Sequence, residues 1–224
     1  MGILLIDSSS AKIEFGYADK NSILFKKELE PEYNADTLTF FIRDSFISNK
    51  IDMKDIEFIG LSNGPGSFTG LRIGSAISKG LCLALGCKLI EISTLDVIAN
   101  KFIREYKPAA GADEKKISAL IFSNTKLQEF YYCEYEASHD KLKRISGYRT
   151  DLLKNIITGN NHYIINEKIS NIIDSEYRER LTDVSGLSNT EPLYGLVMEG
   201  IRQNNFSDYK SSEPFYMKEF VPNI

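Results

Sequence analysis

Two stretches carry residues whose types and spacing suit chemistry. Asp7-Ser8-Ser9-Ser10 follows the apolar run Ile3-Leu4-Leu5-Ile6. A carboxylate at a strand end suits magnesium binding or general-base work, and it equally suits the turn that aspartate forms by bonding its own backbone. The second stretch is the glycine-rich Asn63-Gly64-Pro65-Gly66-Ser67-Phe68-Thr69-Gly70. Between a strand and a helix, such a turn offers free N–H groups and the positive end of a helix dipole to a phosphate. Its spacing is G-x-G-x-x-x-G instead of the dinucleotide G-x-G-x-x-G, and Leu71 stands where a Walker lysine would follow Gly70. The competing reading is that the glycines only permit a tight turn and close helix packing. Asp7, Ser8, Gly64, Gly66, Ser67 and Thr69 are the candidate nucleotide- or anion-binding residues.

Other chemistry is thinly represented. His139 and His162 are the only histidines and lack H-x-x-x-H spacing, and no G-x-S-x-G elbow occurs. No metal ligands and no catalytic residues are therefore assigned. Cys82, Cys87 and Cys133 form no C-x-x-C pair and leave an odd thiol, which fits reduced intracellular cysteines better than a disulfide framework. Phe130, Tyr131, Tyr132 and Tyr135 have the residue types that stack on bases, but alternation along a strand explains them without RNA. Charge sums to 27 − 31 = −4, without the broad basic field that neutralising many phosphates requires. The N-terminus lacks the basic region of a signal peptide, and no run approaches a membrane span, so a cytoplasmic protein is expected.

The elements that must hold these residues follow from periodicity. Ile3–Ile6 reads as a buried central strand, and 12–17 and 23–25 read as two antiparallel strands after it. A helix over 36–49, with Asn34 and Asp36 as capping candidates, precedes a strand over 57–62. The glycine turn then leads into a helix over 71–85 stopped by Gly86, followed by a strand over 89–92 and a helix through Tyr106. Lys107–Glu114 combines Pro, Gly and charge, and marks a boundary between two lobes, residues 1–106 and 107–224, with the C-terminal segment placed either in the second lobe or, for its last residues, back on the first. Strands over 117–122, 130–135 and 142–148 echo the opening meander and suggest internal duplication. A strand over 162–165 and a helix over 190–202 complete the pattern, with the stretch between them unassigned.

Two helices have a second side to account for. Leu38, Ile42, Ser45 and Phe46 line one face of the first, while Phe40 and Ile47 project opposite. On the second, Ile73, Ile77, Leu81, Ala84 and Leu85 form an arc expected to cover the sheet. Leu71, Ser75, Ser78 and Cys82 form a separate small-residue stripe, expected to face outward and admit another helix at short range. Phe40, Ile47, Leu71, Ser75, Ser78 and Cys82 are the candidate interface, against the alternative of scattered surface hydrophobes.

Ile3-Leu4-Leu5-Ile6-Asp7-Ser8-Ser9, followed by Asn63 through Gly74 and Ser78-Lys79-Gly80-Leu81, closely resembles the TsaB (YeaZ) family, accessory subunits of tRNA threonylcarbamoyladenosine synthesis. The resemblance covers roughly residues 1–100 and returns at Pro214-Phe215-Tyr216-Met217-Lys218. It implies an α/β fold of the actin, hexokinase and Hsp70 (ASKHA) type, with two ribonuclease-H-like lobes, the second reduced. It also implies a noncatalytic scaffold that docks the helices at 36–49 and 71–85 onto a homologous catalytic subunit, TsaD, and with it the small ATPase TsaE. TsaD transfers threonylcarbamoyl to the adenosine beside the anticodon. Alone, the chain would pair with a second copy; tRNA would be met only indirectly, and no cofactor would be needed beyond ATP or ADP at the partner interface. The chain departs from the family at Asn34-Ala35, at Asn124-Thr125-Lys126 and at Lys218, so roles of those family positions are not carried over. The alternative within the same superfamily is an ATP-dependent phosphotransferase or hydrolase built on Asp7, Ser8 and the glycine turn.

Overall fold

The computed structural model describes residues 1–29, 35–105, 115–138, 141–158, 161–166, 173 and 175–217. The expected boundary stretch Lys107–Glu114, together with Asn34, His139 and Lys218, lies outside the described residues. The chain forms two compact units, Met1–Val97 with Ser188–Pro214, and Ile98–Leu187 with the residues from Phe215. Against the division at 106/107 expected from the sequence, the units part at Val97/Ile98, and Ser188–Pro214 belongs to the first.

In the first unit, β1 (Gly2–Asp7), β2 (Ile13–Ala18), β3 (Ile23–Leu29), β4 (Ile56–Ser62) and β5 (Lys88–Ile92) form one sheet in the order β3-β2-β1-β4-β5. β1 runs antiparallel to β2, with Ile6 opposite Phe15, and parallel to β4, with Ile6 beside Leu61. Every residue of β1 is buried, so both sides of the sheet must be covered. Its alternation shows by what. Leu4 and Ile6 join Leu38, Ile42 and Phe46 of α1 (Ala35–Ser48) and Cys82 of α2 (Phe68–Leu85) in one core cluster. Ile3 and Leu5 join Ile90 and, after α3 (Thr94–Glu105), Leu193 and Val197 of the last helix, Thr190–Arg202. The small side chain at Gly60 admits that helix, since a Cβ there would lie 2.3 Å from Val197 Cγ2.

In the second unit, β6 (Lys115–Asn124), β7 (Glu129–Ser138), β8 (Lys141–Arg144), β9 (Arg149–Leu152), β10 (His162–Ile165) and β11 (Leu181–Asp183) form a sheet in the order β8-β7-β6-β10-β11, with β9 also on β7. β6 and β7 are antiparallel, and β10 and β11 join in parallel. This repeats the strand order and directions of the first sheet. Among the described residues the helices between its strands are α4 (Leu153–Ile156) and α5 (Ser175–Arg178), single turns against the long α1 and α2. Thr190–Arg202 is α6. Two lobes of ribonuclease-H topology, the second reduced, constitute the actin/hexokinase-type fold. The strand expected over 142–148 divides into β8 and β9 because Ser146 Oγ accepts the Glu134 N–H at 2.9 Å, in place of a ladder carbonyl. β11 and α5 lie within the stretch left unassigned by sequence.

Candidate functional site

The first candidate site gathers where β1 ends. Asp7 Oδ1 accepts the Ser9 N–H at 2.9 Å and the Ser9 hydroxyl at 2.6 Å, an aspartate turn with both groups buried. That turn receives the glycine stretch. Ser67 N donates to Ser9 O at 2.7 Å, and Ser8 Oγ donates to Gly70 O at 2.7 Å. A Cβ on Gly66 would lie 2.1 Å from Ser9 O, and one on Gly70 1.9 Å from Ser8 O. No other residue fits at either place. Ser67 caps α2 by accepting the Gly70 N–H, which starts the helix at Phe68 instead of the expected Leu71. Gly64 O takes the Thr94 N–H at 2.8 Å and the Ser93 hydroxyl at 3.2 Å.

Asp7, Ser8, Gly64, Gly66 and Ser67 are thus brought together around one turn, with Thr69 exposed on the first turn of α2. The N–H groups of Ser67 and Gly70 are bonded within the chain. The geometry is that of close helix packing. Glu91 is the residue sequence reasoning missed here. Its Oε1 accepts from Asn63 Nδ2 at 2.6 Å and Ser212 Oγ at 2.5 Å, while Asn63 Nδ2 also donates to Glu213 O at 2.9 Å. The turn's first residue is therefore held by a segment distant in sequence, and no local pattern announces that.

The second candidate site is the outer side of α1 and α2. Phe40 and Ile47 project from α1 at 52% and 67% exposure, while Leu38, Ser45, Ile42 and Phe46 are buried, as the periodicity predicts. On α2 the stripe expected to face outward is the buried one, while the arc expected to cover the sheet packs against the core except for the exposed Ala84. Leu71, Ser75, Ser78 and Cys82 are all buried and face inward, and Ile73, Ile77, Leu81 and Leu85 are half-buried on its flank. The reason is the closeness of approach. A Cβ on Gly74 would lie 2.3 Å from Ser8 Oγ and 3.1 Å from Leu61 Cδ1, so α2 lies on the end of β1 and on β4 too closely for a side chain at 74. The outward side of α2 is Arg72, Ala76, Gly80 and Leu83, with Leu83 71% exposed and nothing within 4 Å of a Cβ on Gly80. α1 packs beside α2. Phe40, Ile47 and Leu83 thus occupy the outer sides of paired helices, flanked by Arg43 over the Phe40 ring at 5.4 Å and Arg72 over the Phe68 ring at 3.8 Å. The pair of glycines at 70 and 74, in the same i, i+4, i+8 row as Ser78, is the signal that marks the inward stripe.

In the second unit, Phe130 and Tyr135 are buried and Tyr131 and Tyr132 half-buried, so the aromatic run serves the strand. His162 lies beside the Phe102 ring, 6.0 Å between centroids. Among the described residues, no group of three or more His, Cys, Asp or Glu could hold a metal, and no helix is long and apolar enough to cross a membrane.

The family model of TsaD, tRNA N6-adenosine threonylcarbamoyltransferase, matches residues 32–191. A TsaB, tRNA threonylcarbamoyladenosine biosynthesis protein, of Buchnera aphidicola subsp. Schizaphis graminum is 32% identical over 59% of this chain and 60% of its own length. The TsaB of Escherichia coli K12 is 27% identical over 61% and 55%. The match therefore spans less than two thirds of these relatives. YeaZ of Pseudomonas aeruginosa shares the fold, with a TM-score of 0.75 and 18% identity over 96% of this chain and 99% of that one. The chain belongs to the family that the TsaD model describes and, within it, to the TsaB (YeaZ) group.

Proposed function

We propose that this chain is a noncatalytic subunit of tRNA threonylcarbamoyladenosine biosynthesis. In this reading it docks the outer side of α1 and α2 onto the homologous catalytic subunit TsaD, and with it TsaE. Alone, it pairs the same side with a second copy. The observation that carries the reading is the exposure of Phe40, Ile47 and Leu83, at 52%, 67% and 71%, on neighbouring helices. Burying such side chains contributes roughly 1.5–3 kcal/mol each, and Ala76 and Gly80 leave α2 low enough for a partner helix to approach. Support for a noncatalytic role comes from Asp7 and the glycine turn. Asp7 Oδ1 holds Ser9, and the turn seats α2. The role needs no cofactor on this chain, with any ATP or ADP held at the partner interface, and it reaches tRNA only through the partner.

Co-expression with the TsaD subunit of the same organism tests the reading. The native chain co-purifies with TsaD, and the double variant Phe40→Asp, Leu83→Asp is lost from the complex while keeping its circular-dichroism spectrum. Undiminished co-purification of the folded double variant, or undiminished tRNA modification without this chain, overturns it.

A further inference from the structure

α2 ends in a left-handed residue, Gly86, at φ 70°, whose N–H donates to Cys82 O at 2.9 Å. Stops of this kind bring the residue that supplies the carbonyl into contact with those just past the glycine, ordinarily through two apolar side chains. Here both positions are cysteines. Cys82 and Cys87 are free thiols, 1% and 6% exposed, with sulfurs 3.8 Å apart. The third cysteine, Cys133, has its sulfur against Ser146 instead of a thiol.

We infer that Cys82 and Cys87 are a modification site: a hydroperoxide oxidises them to a disulfide that clasps the end of α2 to the start of β5. The sulfurs, already neighbours at 3.8 Å, must close to about 2.0 Å for the bond to form. The contact between the two sulfurs, together with burial, holds the Cys82 thiol well above its ordinary range, and the same contact lowers Cys87. Cys87 supplies the thiolate in this inference. Its thiolate attacks one peroxide oxygen, the O–O bond breaks, and hydroxide leaves a sulfenic acid behind. The Cys82 sulfur then attacks the sulfenic sulfur, the S–O bond breaks, and the departing hydroxide takes the Cys82 proton as water. In sum, two thiols and one hydrogen peroxide give one disulfide and two waters. The inference stands independently of the docking reading, since Cys82 faces the sheet and not the outer side.

The full folded chain is treated with hydrogen peroxide, quenched with N-ethylmaleimide and analysed by intact mass and peptide mapping. The expected product is lighter by two hydrogens, carries a link between residues 82 and 87, and returns to the dithiol with dithiothreitol. Amide exchange at Gly86 and Lys88 slows about tenfold in the linked form. Cys133→Ser still links, whereas Cys87→Ser does not. Failure of both the native chain and Cys133→Ser to link while folded overturns the inference, as does a link that forms only through Cys133 or only between molecules.

Discussion

Glu14, the second residue of β2, holds the backbone N–H of Asn189 between its two carboxylate oxygens, at 3.1 and 2.9 Å. Oε2 also accepts the hydroxyls of Ser188 at 2.6 Å and Thr190 at 3.1 Å. Asn189 is the cap position of α6 and offers no side-chain cap of its own, so a carboxylate from another element supplies the negative group that a helix start favours. Glu14 is only 6% exposed. Glu14→Ala takes the carboxylate from two buried donors and one half-buried donor and lowers stability by about 2–4 kcal/mol, read as a fall in the urea midpoint. Glu14→Gln, which keeps one acceptor oxygen, loses less.

Ser78→Arg separates the inward stripe from the outward one. Ser78 is fully buried, and a guanidinium forced beneath α2 costs more than about 3 kcal/mol. The expected result is loss of the folded monomer in thermal denaturation. Ser78→Ala stays within about 1 kcal/mol of the native chain and leaves association unchanged. A folded Ser78→Arg monomer deficient only in association would place the stripe at the interface after all.

Glycines on α2 respond in opposite senses. Gly70→Ala drives a Cβ to 1.9 Å from the Ser8 carbonyl oxygen and costs about 1–3 kcal/mol or more through displaced backbone. Gly80→Ala meets nothing and adds about 0.8–1 kcal/mol through helix propensity. Paired denaturation curves check both.

Isothermal calorimetry of the isolated chain with Mg·ATP separates the scaffold reading from a phosphotransferase. Heat of tight binding is expected to be absent, and Asp7→Ala is expected to lower stability by about 1–3 kcal/mol through loss of the bonds to Ser9. Tight nucleotide binding abolished by Asp7→Ala, with turnover, would favour the enzyme.

Much of the architecture was legible locally. Ile3–Ile6, the glycine turn and Gly86 mark strand, turn and stop by chemistry confined to a few residues, and the expected helix 190–202 coincides with α6. The two outward residues of α1, Phe40 and Ile47, were also readable, because their opposite face is strongly apolar. On α2 hydrophobicity misled. Ile73, Ile77 and Leu81 are larger and more apolar than Ser75 and Ser78, so a wheel ranks them as the core. The deciding fact is distance, set by Gly70 and Gly74 lying on Ser8, a contact between residues far apart in the chain. For the same reason neither Glu14 with Asn189 nor Glu91 with Ser212 was foreseeable, since each joins segments that share no local pattern.

The arrival of α6 on the first sheet sets a condition on biosynthesis. Ile3, Leu5 and Ile90 are translated early, yet Leu193 and Val197, which shield them, emerge late. A nascent chain halted anywhere before Thr190 carries a finished hairpin with one bare oily side. Such arrested products invite chaperone capture or clumping, and only emergence of the residues through Arg202 lets the earliest-made strands become dry on both surfaces.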